Sequence, residues 1–390
     1  MIPIVQLATA GMTAWVAVYA TTCGVAIARA ARSRAPVRTT DGPEPSVLLV
    51  RPCTGDDATL EPALRSTAEL RYGGPLQIRL CVESRDDPAW GPVCRAAQWL
   101  REQGQDAEAV IAATNAHNRK VGQLAEVTRD AEHDVVVCVD ADVDLSGFGL
   151  DALLAPLRSD AVAAVWAPPV EVGALQGVGD RASAAVLGAS LHAFNLLGEL
   201  DPGGLVGKTF AVRSDALREI GGFDGLTEHL GEDMELARRL RQRGWTTTML
   251  RSSVRAIGSA RSMADVLARY TRWLWVIRAQ RPALLLSYPL LLAAAPILLV
   301  LLTLLATLAP LWSVSLGAIV LSTRIAVALA ASAPRGRRVA AATHEWLLAD
   351  VVLLLAFARA LGRPSVSWRD RTLRLGPGGR LSAVDGPLGG

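Results

Sequence analysis

Residues 134–142 read Asp134-Val-Val-Val-Cys-Val-Asp-Ala-Asp142, and this stretch decides the class of fold. The apolar, β-branched run up to residue 139 is typical of a strand buried on both faces of a parallel sheet. Two carboxylates follow directly, at the edge where open α/β sheets bind their ligands. Asp140 and Asp142 therefore suit one hard cation together with a sugar or ribose hydroxyl. The alternative is a solvated turn, in which aspartate is common, and Asp144 is near enough to share either role.

Strand-like and helix-like stretches alternate on the N-terminal side of this run. Short apolar stretches predict strands, and helical spacing of apolar residues predicts helices. The alternation indicates an open, mostly parallel α/β sheet. Strands are expected at residues 46–51, 77–82 and 109–112, and helices at 60–70, 87–103 and 121–131.

The first apolar segment, residues 4–28, has no charged residue and is followed by Arg29, Arg32, Arg34 and Arg38. A cleavable signal peptide carries its charges before the apolar run, so the segment is predicted to be an anchor with a cytosolic C-terminal end. A signal peptide with a hidden cleavage site is the alternative.

Three further apolar stretches lie at residues 283–309, 311–331 and 345–360. The first two are long enough to span a bilayer. Arginines at 335, 337 and 338 favour a cytosolic loop before the third stretch, and arginines from 363 to 374 favour a cytosolic tail after it. One full crossing cannot satisfy both. We expect a re-entrant or interfacial third stretch, because Glu345 and Asp350 are costly at membrane depth unless they face protein or water; otherwise the charge rule fails at one end.

Composition limits the remaining classes. The formal net charge of +3 is too small to indicate nucleic-acid binding. The five cysteines have no metal-ligand spacing and are predicted to be reduced, buried apolar residues of a cytosol-facing domain.

Glu232-Asp233 precedes an amphipathic helical stretch that stops at Gly244. Acidic residues favour helix N-termini through the macrodipole, which alone would explain the pair. The functional hypothesis is a carboxylate base that faces an acceptor hydroxyl.

Arg269-Tyr-Thr-Arg272-Trp273 lies on a helical stretch just before the membrane segments. An interfacial amphipathic helix is one interpretation. Because Arg269 and Arg272 share a helical face, they could also clamp a diphosphate.

Together these motifs resemble those of membrane-bound family 2-type glycosyltransferases, and within them the ceramide glucosyltransferase group, which includes bacterial hopanoid-associated glycosyltransferases. The ordered acidic motifs and Arg269-x-x-Arg-Trp273 carry the resemblance. So do the segment from Cys81 to Ala89, which holds Asp86-Asp87, the loop Asn118-Arg-Lys-Val121, and Ser367-Trp368-Arg369.

The resemblance implies a GT-A-type nucleotide-sugar-binding domain with an N-terminal transmembrane helix and a C-terminal transmembrane and interfacial region. It assigns the catalytic base to Asp233 and the metal, Mg²⁺ or Mn²⁺, to Asp142. His192 and Glu232 are implied for the acceptor side of the site, although His192 alone reads as a buried core histidine. The donor-binding residues implied are Glu83, Asp87, Lys120, Asp140, Asp142, Arg269, Arg272 and Trp273.

The predicted organisation is an anchor (1–31), a catalytic domain (45–262), an interfacial helix (263–281), transmembrane helices (283–361) and a cytosolic tail (362–390). The predicted function is inverting sugar transfer from a nucleotide-sugar, such as UDP-glucose or a related UDP-sugar, to a ceramide-like or hopanoid-like lipid hydroxyl. The expected location is the bacterial plasma membrane, with the catalytic domain on the cytosolic face. Two alternatives are a processive polysaccharide synthase of the same superfamily and a non-catalytic membrane scaffold on the same fold.

Overall fold

The computed structural model describes residues 2–32, 43–55, 57–173, 177–258, 260–335, 339–362, 365–368 and 371–383. Arg34, Arg38, Arg363 and Arg369, which entered the charge argument, lie outside these ranges, as do Arg337 and Arg338. The strands are β1 (Val47–Pro52), β2 (Leu76–Val82), β3 (Asp106–Ile111), β4 (Val135–Val139), β5 (Val143–Asp144), β6 (Val162–Trp166), β7 (Pro169–Val172), β8 (Thr209–Arg213), β9 (Thr246–Met249), β10 (Val254–Ile257), β11 (Ser365–Trp368), β12 (Arg371–Leu375) and β13 (Leu381–Ala383).

The first α-helix and the last three are largely apolar. They are α1 (Ile2–Ala31), α2 (Leu60–Arg65), α3 (Trp90–Glu102), α4 (Arg119–Thr128), α5 (Leu150–Leu154), α6 (Val178–Ala189), α7 (Phe194–Leu200), α8 (Ser214–Glu219), α9 (Glu232–Gln242), α10 (Met263–Gln280), α11 (Pro282–Leu285), α12 (Ala294–Leu305), α13 (Pro310–Ser332) and α14 (Val339–Ala360).

The chain divides into two compact units, each made of three segments. The sheet unit contains Ala35–Pro169, Asp201–Gly258 and Ser365–Gly390, and the helical unit contains Met1–Arg34, Val170–Leu200 and Ser259–Pro364. This division groups residues 170–200 with the helical segments, whereas the predicted catalytic domain includes them; the domain bounds remain a prediction.

The sheet unit is built on a seven-stranded sheet of order β3-β2-β1-β4-β8-β6-β9. Strands β3, β2, β1 and β4 are parallel, β8 is antiparallel to both its neighbours, and β6 and β9 are parallel. All five residues of β4 are buried, as the apolar run predicts. The open, mostly parallel α/β sheet is confirmed.

Several predicted bounds shift in the sheet unit. The helix predicted for residues 60–70 is α2 continued by a 3₁₀ turn at Ser66–Glu69, and the one predicted to begin at Asp87 begins at Trp90. Asp87 accepts a hydrogen bond from the backbone N–H of Ala89 (3.0 Å) and so lies in the turn before the helix.

Two helices are long and apolar enough to cross a membrane within the described part of the chain, Val5–Ala31 and Pro310–Ser332. Residues 283–309, which are predicted to be long enough to span, do not form one continuous helix. The segments Pro282–Leu292 and Ala294–Leu305 meet at a bend of 55°, after a π-helical turn at Tyr288–Leu292. Pro289 and Pro296 lack the N–H that a regular helix uses, which explains the interruption. This pair is either one broken span or a re-entrant loop.

The third apolar stretch forms α14, which is longer than its apolar run and packs on α6, α10 and α13. Asp350 is fully buried and forms a bidentate ion pair with Arg324 of α13, at 2.8 and 2.9 Å. The carboxylate therefore faces protein. This agrees with the high free-energy cost of an acidic side chain that faces lipid.

Candidate active site

The loop that carries Asp140 and Asp142 is held from behind by a buried arginine. Arg51 near the end of β1 is fully buried and donates to the carbonyl oxygens of Asp140 (3.1 Å) and Val143 (2.6 Å). It also donates to the Ala63 carbonyl and the Thr67 hydroxyl, both at 2.8 Å. Burial lowers the pKa of Arg51 to about 10, so the side chain stays charged at neutral pH. The backbone of the loop is thereby fixed at the carboxyl ends of β1 and β4.

The carboxylates of the loop are paired with lysines. Lys120 Nζ lies 2.7 Å from Asp140 Oδ1, and Lys208 Nζ lies 3.1 Å from Asp140 Oδ2. Lys208 also contacts both oxygens of Asp142, at 2.6 and 2.7 Å. Burial alone would raise the pKa of Asp140, but the two ammonium groups lower it. Both lysines of the chain are thus used at one pair of carboxylates.

Asp233 lies in the first turn of α9, close to the same lysine cluster. Its carboxylate accepts hydrogen bonds from the backbone N–H groups of Gly207 (3.0 Å) and Met234 (2.8 Å). Burial and the neighbouring charge of Glu232 raise the pKa of Asp233 to about 6, although Lys120 opposes the shift. A carboxyl group with a raised pKa at a helix N-terminus has the properties of a general base.

Gly207 allows this close approach. A Cβ at position 207 would lie 3.3 Å from Lys120 Nζ and 3.4 Å from the Asp233 carboxylate. Lys120 Nζ also donates to the Gly207 carbonyl (3.0 Å) and contacts Glu232 Oε1 (3.2 Å). The glycine backbone therefore supplies both a donor and an acceptor to the site.

Asn118 joins the loop before α4 to the loop before α9. Its side-chain oxygen caps α4 by accepting from the Val121 N–H (3.3 Å), and its amide donates to the His229 carbonyl (2.8 Å) and to Glu232 Oε2 (3.2 Å). Asn118 and Lys120 thus both contact Glu232.

Glu83 and Asp87 follow β2 in the same unit but bind other partners. Glu83 pairs with Arg119 at 3.1 Å. Asp87 accepts from the Thr54 hydroxyl (2.7 Å) and the Gly55 N–H (2.8 Å), and so fixes the turn after β1. Their predicted contact with the nucleotide stays a prediction.

The helical unit holds the other predicted residues. Arg269 pairs with the buried Glu171 at 2.5 Å, and Arg261 pairs with the same carboxylate oxygen at 2.6 Å. Burial would raise the pKa of Glu171, but the two guanidinium groups lower it to about 2. The Arg269 guanidinium also lies 4.9 Å from the Trp273 ring centroid. In this structure the Arg269 guanidinium thus contacts Glu171 and the ring of Trp273.

Arg272 differs from Arg269 although both belong to one motif. It is half-buried, and among the described residues it makes no hydrogen bond or ion pair. Burial and the like charge of Arg269 lower its pKa. A half-buried cation in this state is ready to accept an anion.

His192 is buried in an aromatic cluster with Phe194, Tyr270, Trp273 and Tyr288, whose ring centroids lie 5.7–6.1 Å from its own. Its Nδ1 lies 3.3 Å from the Tyr288 hydroxyl. Burial, with a smaller effect of Arg269, lowers the pKa of His192 to about 4. The imidazole is therefore neutral at physiological pH, and its part in acceptor binding stays a prediction.

The carboxylates of the sheet unit suit a divalent metal only in part. Asp140 and Asp142 offer the hard oxygen atoms that Mg²⁺ and Mn²⁺ prefer. Within the described ranges, no three His, Cys, Asp or Glu side chains form a metal-binding group. Mg²⁺ needs only one or two carboxylates when substrate phosphates complete its shell. The residues therefore fit a metal that binds together with a diphosphate, provided that Lys208 releases Asp142.

Lys208 is the functional candidate that sequence reasoning missed. It stands one residue before β8, the strand antiparallel to β4, and no motif surrounds it. The scarcity of lysine was the available signal, because Lys120 and Lys208 are the only lysines of the chain and its remaining guanidinium or ammonium side chains are all arginine.

The open sheet and the lysine-paired carboxylates at its edge fit a glycosyltransferase that uses a nucleotide-sugar donor. A family model described as glycosyl transferase family 21 matches residues 9–381, and the chain belongs to this family. Ceramide glucosyltransferase 3 of Caenorhabditis elegans is 23% identical over 353 residues, which cover 87% of this chain and 75% of the relative. The predicted resemblance and enzyme class are confirmed.

Two solved structures are distant likenesses. A mannosyltransferase from Pyrobaculum calidifontis, in complex with GDP-Man and Mn²⁺, is 18% identical with a TM-score of 0.49, over 92% of this chain and 98% of that chain. Glucosyl-3-phosphoglycerate synthase from Mycobacterium tuberculosis, in complex with Mn²⁺, uridine-diphosphate and glucosyl-3-phosphoglycerate, is 17% identical with a TM-score of 0.36, over 59% and 79%.

Proposed function

We propose that this protein is an inverting glycosyltransferase that moves a sugar from UDP-glucose or a related UDP-sugar to the hydroxyl of a ceramide-like or hopanoid-like membrane lipid. The observation that carries the proposal is Asp233, a partly buried carboxylate that two backbone N–H groups orient and whose pKa is raised to about 6, close to Lys120 and its partner Asp140. Family membership and the name of the Caenorhabditis elegans relative support the choice of sugar and lipid.

In the proposed reaction Asp233 removes the proton of the lipid hydroxyl as its oxygen attacks the anomeric carbon. The bond between that carbon and the diphosphate oxygen breaks, and the electron pair leaves with the diphosphate. The two backbone N–H groups at Asp233 hold its carboxylate in one orientation, which keeps the base aligned with the acceptor.

The remaining residues act on the leaving group. A divalent metal, Mg²⁺ or Mn²⁺, would be held by Asp142 with Asp140 and would supply positive charge to the diphosphate. Lys120 keeps Asp140 and Glu232 in position. We propose, from the resemblance, that Glu83 and Asp87 contact the nucleotide, that Arg269, Arg272 and Trp273 act on the diphosphate, and that His192 and Glu232 serve the acceptor.

The proposed setting is the bacterial plasma membrane with the sheet unit on the cytosolic face. The two membrane-competent helices support an integral membrane protein, and the arginines after α1 support the orientation. A lipid acceptor then never has to leave the bilayer to react.

The test is a screen of nucleotide-sugars against lipid extracts, with the purified full chain in detergent and mass spectrometry of the products. We expect a glycosylated lipid from a UDP-sugar, and a loss of kcat of about 10²–10⁴-fold in Asp233→Asn. Asp224→Asn, which alters an exposed carboxylate of the same unit, is the matched control and should keep its activity. Equal turnover by Asp233→Asn and the parent would refute the assignment of the base.

A further inference from the structure

The C-terminal hairpin of β12 and β13 contacts the chain segment that leads into the helix of Asp233. The Leu381 N–H donates to the Glu228 carbonyl (2.7 Å), and the Leu230 N–H donates to the Gly379 carbonyl (3.0 Å). Between these two bonds, His229 and Arg380 form an antiparallel bridge. The side chain of Leu381 is buried. The hairpin therefore adds a short strand to residues 228–230.

Residues 227–231, here called the base loop, are held on another side by the loop before α4. The Asn118 N–H donates to the Thr227 carbonyl (2.9 Å), and the Asn118 amide donates to the His229 carbonyl (2.8 Å). His117 also contacts Glu228. The base loop is thus fixed by backbone hydrogen bonds to two separate segments, and α9 begins at its next residue.

We propose that the C-terminal hairpin is a positioning element for the catalytic base, acting through the base loop. Leu230 lies three residues before Asp233, so a shift of the loop moves the first turn of α9. Asp233 is oriented by Gly207 and Met234, and its raised pKa depends first on burial. Loss of the hairpin bonds would loosen both the geometry and the burial of this carboxylate. The inference rests on the proposed role of Asp233.

The main test compares Leu381→Pro with Leu381→Ala. Proline removes the N–H that binds Glu228, whereas alanine keeps it and loses only side-chain packing. We expect Leu381→Pro to lower kcat by about 100-fold with an unchanged Kd for uridine diphosphate. The acid limb of the pH profile of Leu381→Pro should move to lower pH, because greater exposure of Asp233 lowers its pKa. Leu381→Ala should have a lower melting temperature than the parent but keep most of the parent's kcat and the same pH profile.

A disulfide rescue separates positioning from general loss of structure. His229 and Arg380 are antiparallel partners, and the usual Cα separation of such a pair suits a disulfide. In the Leu381→Pro background, His229→Cys with Arg380→Cys should regain kcat on oxidation and lose it again on reduction. If Leu381→Pro fails to bind uridine diphosphate, a second variant replaces it in the test. That variant has two glycines inserted between Leu375 and Gly376, which shifts the register of the hairpin and disturbs the structure less than proline does.

Two results would overturn the proposal: equal losses of kcat in Leu381→Pro and Leu381→Ala, or no recovery on oxidation. Asp233→Asn is measured in parallel. Full activity of Asp233→Asn would reject Asp233 as the base and, with it, the positioning role of the hairpin. An inactive Asp233→Asn together with either of the two results above would reject the hairpin proposal and leave the proposed function standing.

Discussion

Asp233 gives the active site its expected dependence on pH. A base must be ionised to accept a proton, and burial together with Glu232 raises the pKa of this carboxyl group to about 6. We therefore expect kcat to be constant above that pH and to fall about tenfold per pH unit below it. The measurement is kcat under saturating donor and acceptor from pH 4.5 to 8.

The matched variant for this profile is Glu232→Gln. Removal of the like charge lowers the pKa of Asp233, so the acid limb should move to lower pH. Asp224→Asn, which changes an exposed carboxylate that does not contribute to the pKa shift of Asp233, should leave the limb where it is. A limb that does not move in Glu232→Gln would show that another group titrates.

Lys208 is expected to control the affinity of the metal site. Four carboxylates, Asp140, Asp142, Glu232 and Asp233, face two lysines, so an ionised site carries two excess negative charges. In Lys208→Met the competing ammonium is lost from Asp142, and we expect Mn²⁺ to bind roughly tenfold more tightly or better. Electron paramagnetic resonance of Mn²⁺ measures this without turnover.

Lys208→Arg is the control for that titration, because it keeps the charge. Its Mn²⁺ affinity should stay near that of the parent. Weaker Mn²⁺ binding in Lys208→Met would contradict competition and indicate that the lysine supports the metal instead.

The sequence predicted the principal carboxylates and Lys120 but not their pairing. Asp140, Asp142 and Asp233 stand at strand and helix ends, where local pattern identifies them. Lys208 reaches them only because β8 lies antiparallel beside β4. Glu171 was missed for a similar reason, since its two arginine partners are about 90 and 98 residues away in the chain. Pairings of this kind depend on tertiary structure that local periodicity does not encode.

At the level of elements, α10 carries two arginines in different surroundings. Arg269 is paired with a buried carboxylate, whereas Arg272 makes no bond among the described residues. Arg269→Gln removes an ion pair with the buried Glu171, and we expect it to lower the free energy of unfolding by about 1.5–3 kcal/mol. Arg272→Gln removes a cation that is half-buried and makes no bond among the described residues, so its melting temperature should not fall. If Arg272 acts on the diphosphate, kcat should drop by about 10²-fold in that variant.

Thermal unfolding in detergent and steady-state kinetics test both variants together. Leu274 on the same helix provides a packing control, because Leu274→Ala should reduce stability without a selective effect on kcat. Equal losses of stability in Arg269→Gln and Arg272→Gln would contradict the distinction between the two arginines.

Elements with a simple periodic signal were predictable, and interrupted ones were not. The strand β4 and the helix α1 follow from continuous apolar runs. The bend between Pro282–Leu292 and Ala294–Leu305 was missed because hydropathy averages over Pro289 and Pro296. The C-terminal strands were also missed, because each is short and gains its partners from the fold.

At the level of the whole molecule, an ion pair joins two helices of the helical unit. Asp350→Asn would leave the Arg324 guanidinium buried without its counter-charge, at an expected cost of about 3–5 kcal/mol. Replacement of both residues, as Arg324→Met with Asp350→Leu, should recover most of the loss, since an apolar pair avoids the desolvation of charge.

Thermal unfolding in lipid nanodiscs measures both variants, with Leu347→Ala on an exposed part of α14 as the control. If Asp350→Asn melts at the temperature of the parent, the ion pair contributes nothing to stability. If the double variant melts lower than Asp350→Asn, the pair has a role that apolar packing cannot replace.

The hydrogen bonds between the base loop and the hairpin also restrict how the chain threads the bilayer. Residues that bond to each other lie on one side of a membrane, so the chain between Leu230 and Gly379 must cross an even number of times. If α13 crosses once, one further crossing must come from either the bent pair α11–α12 or from α14. The other of these two segments must then return to the side from which it entered.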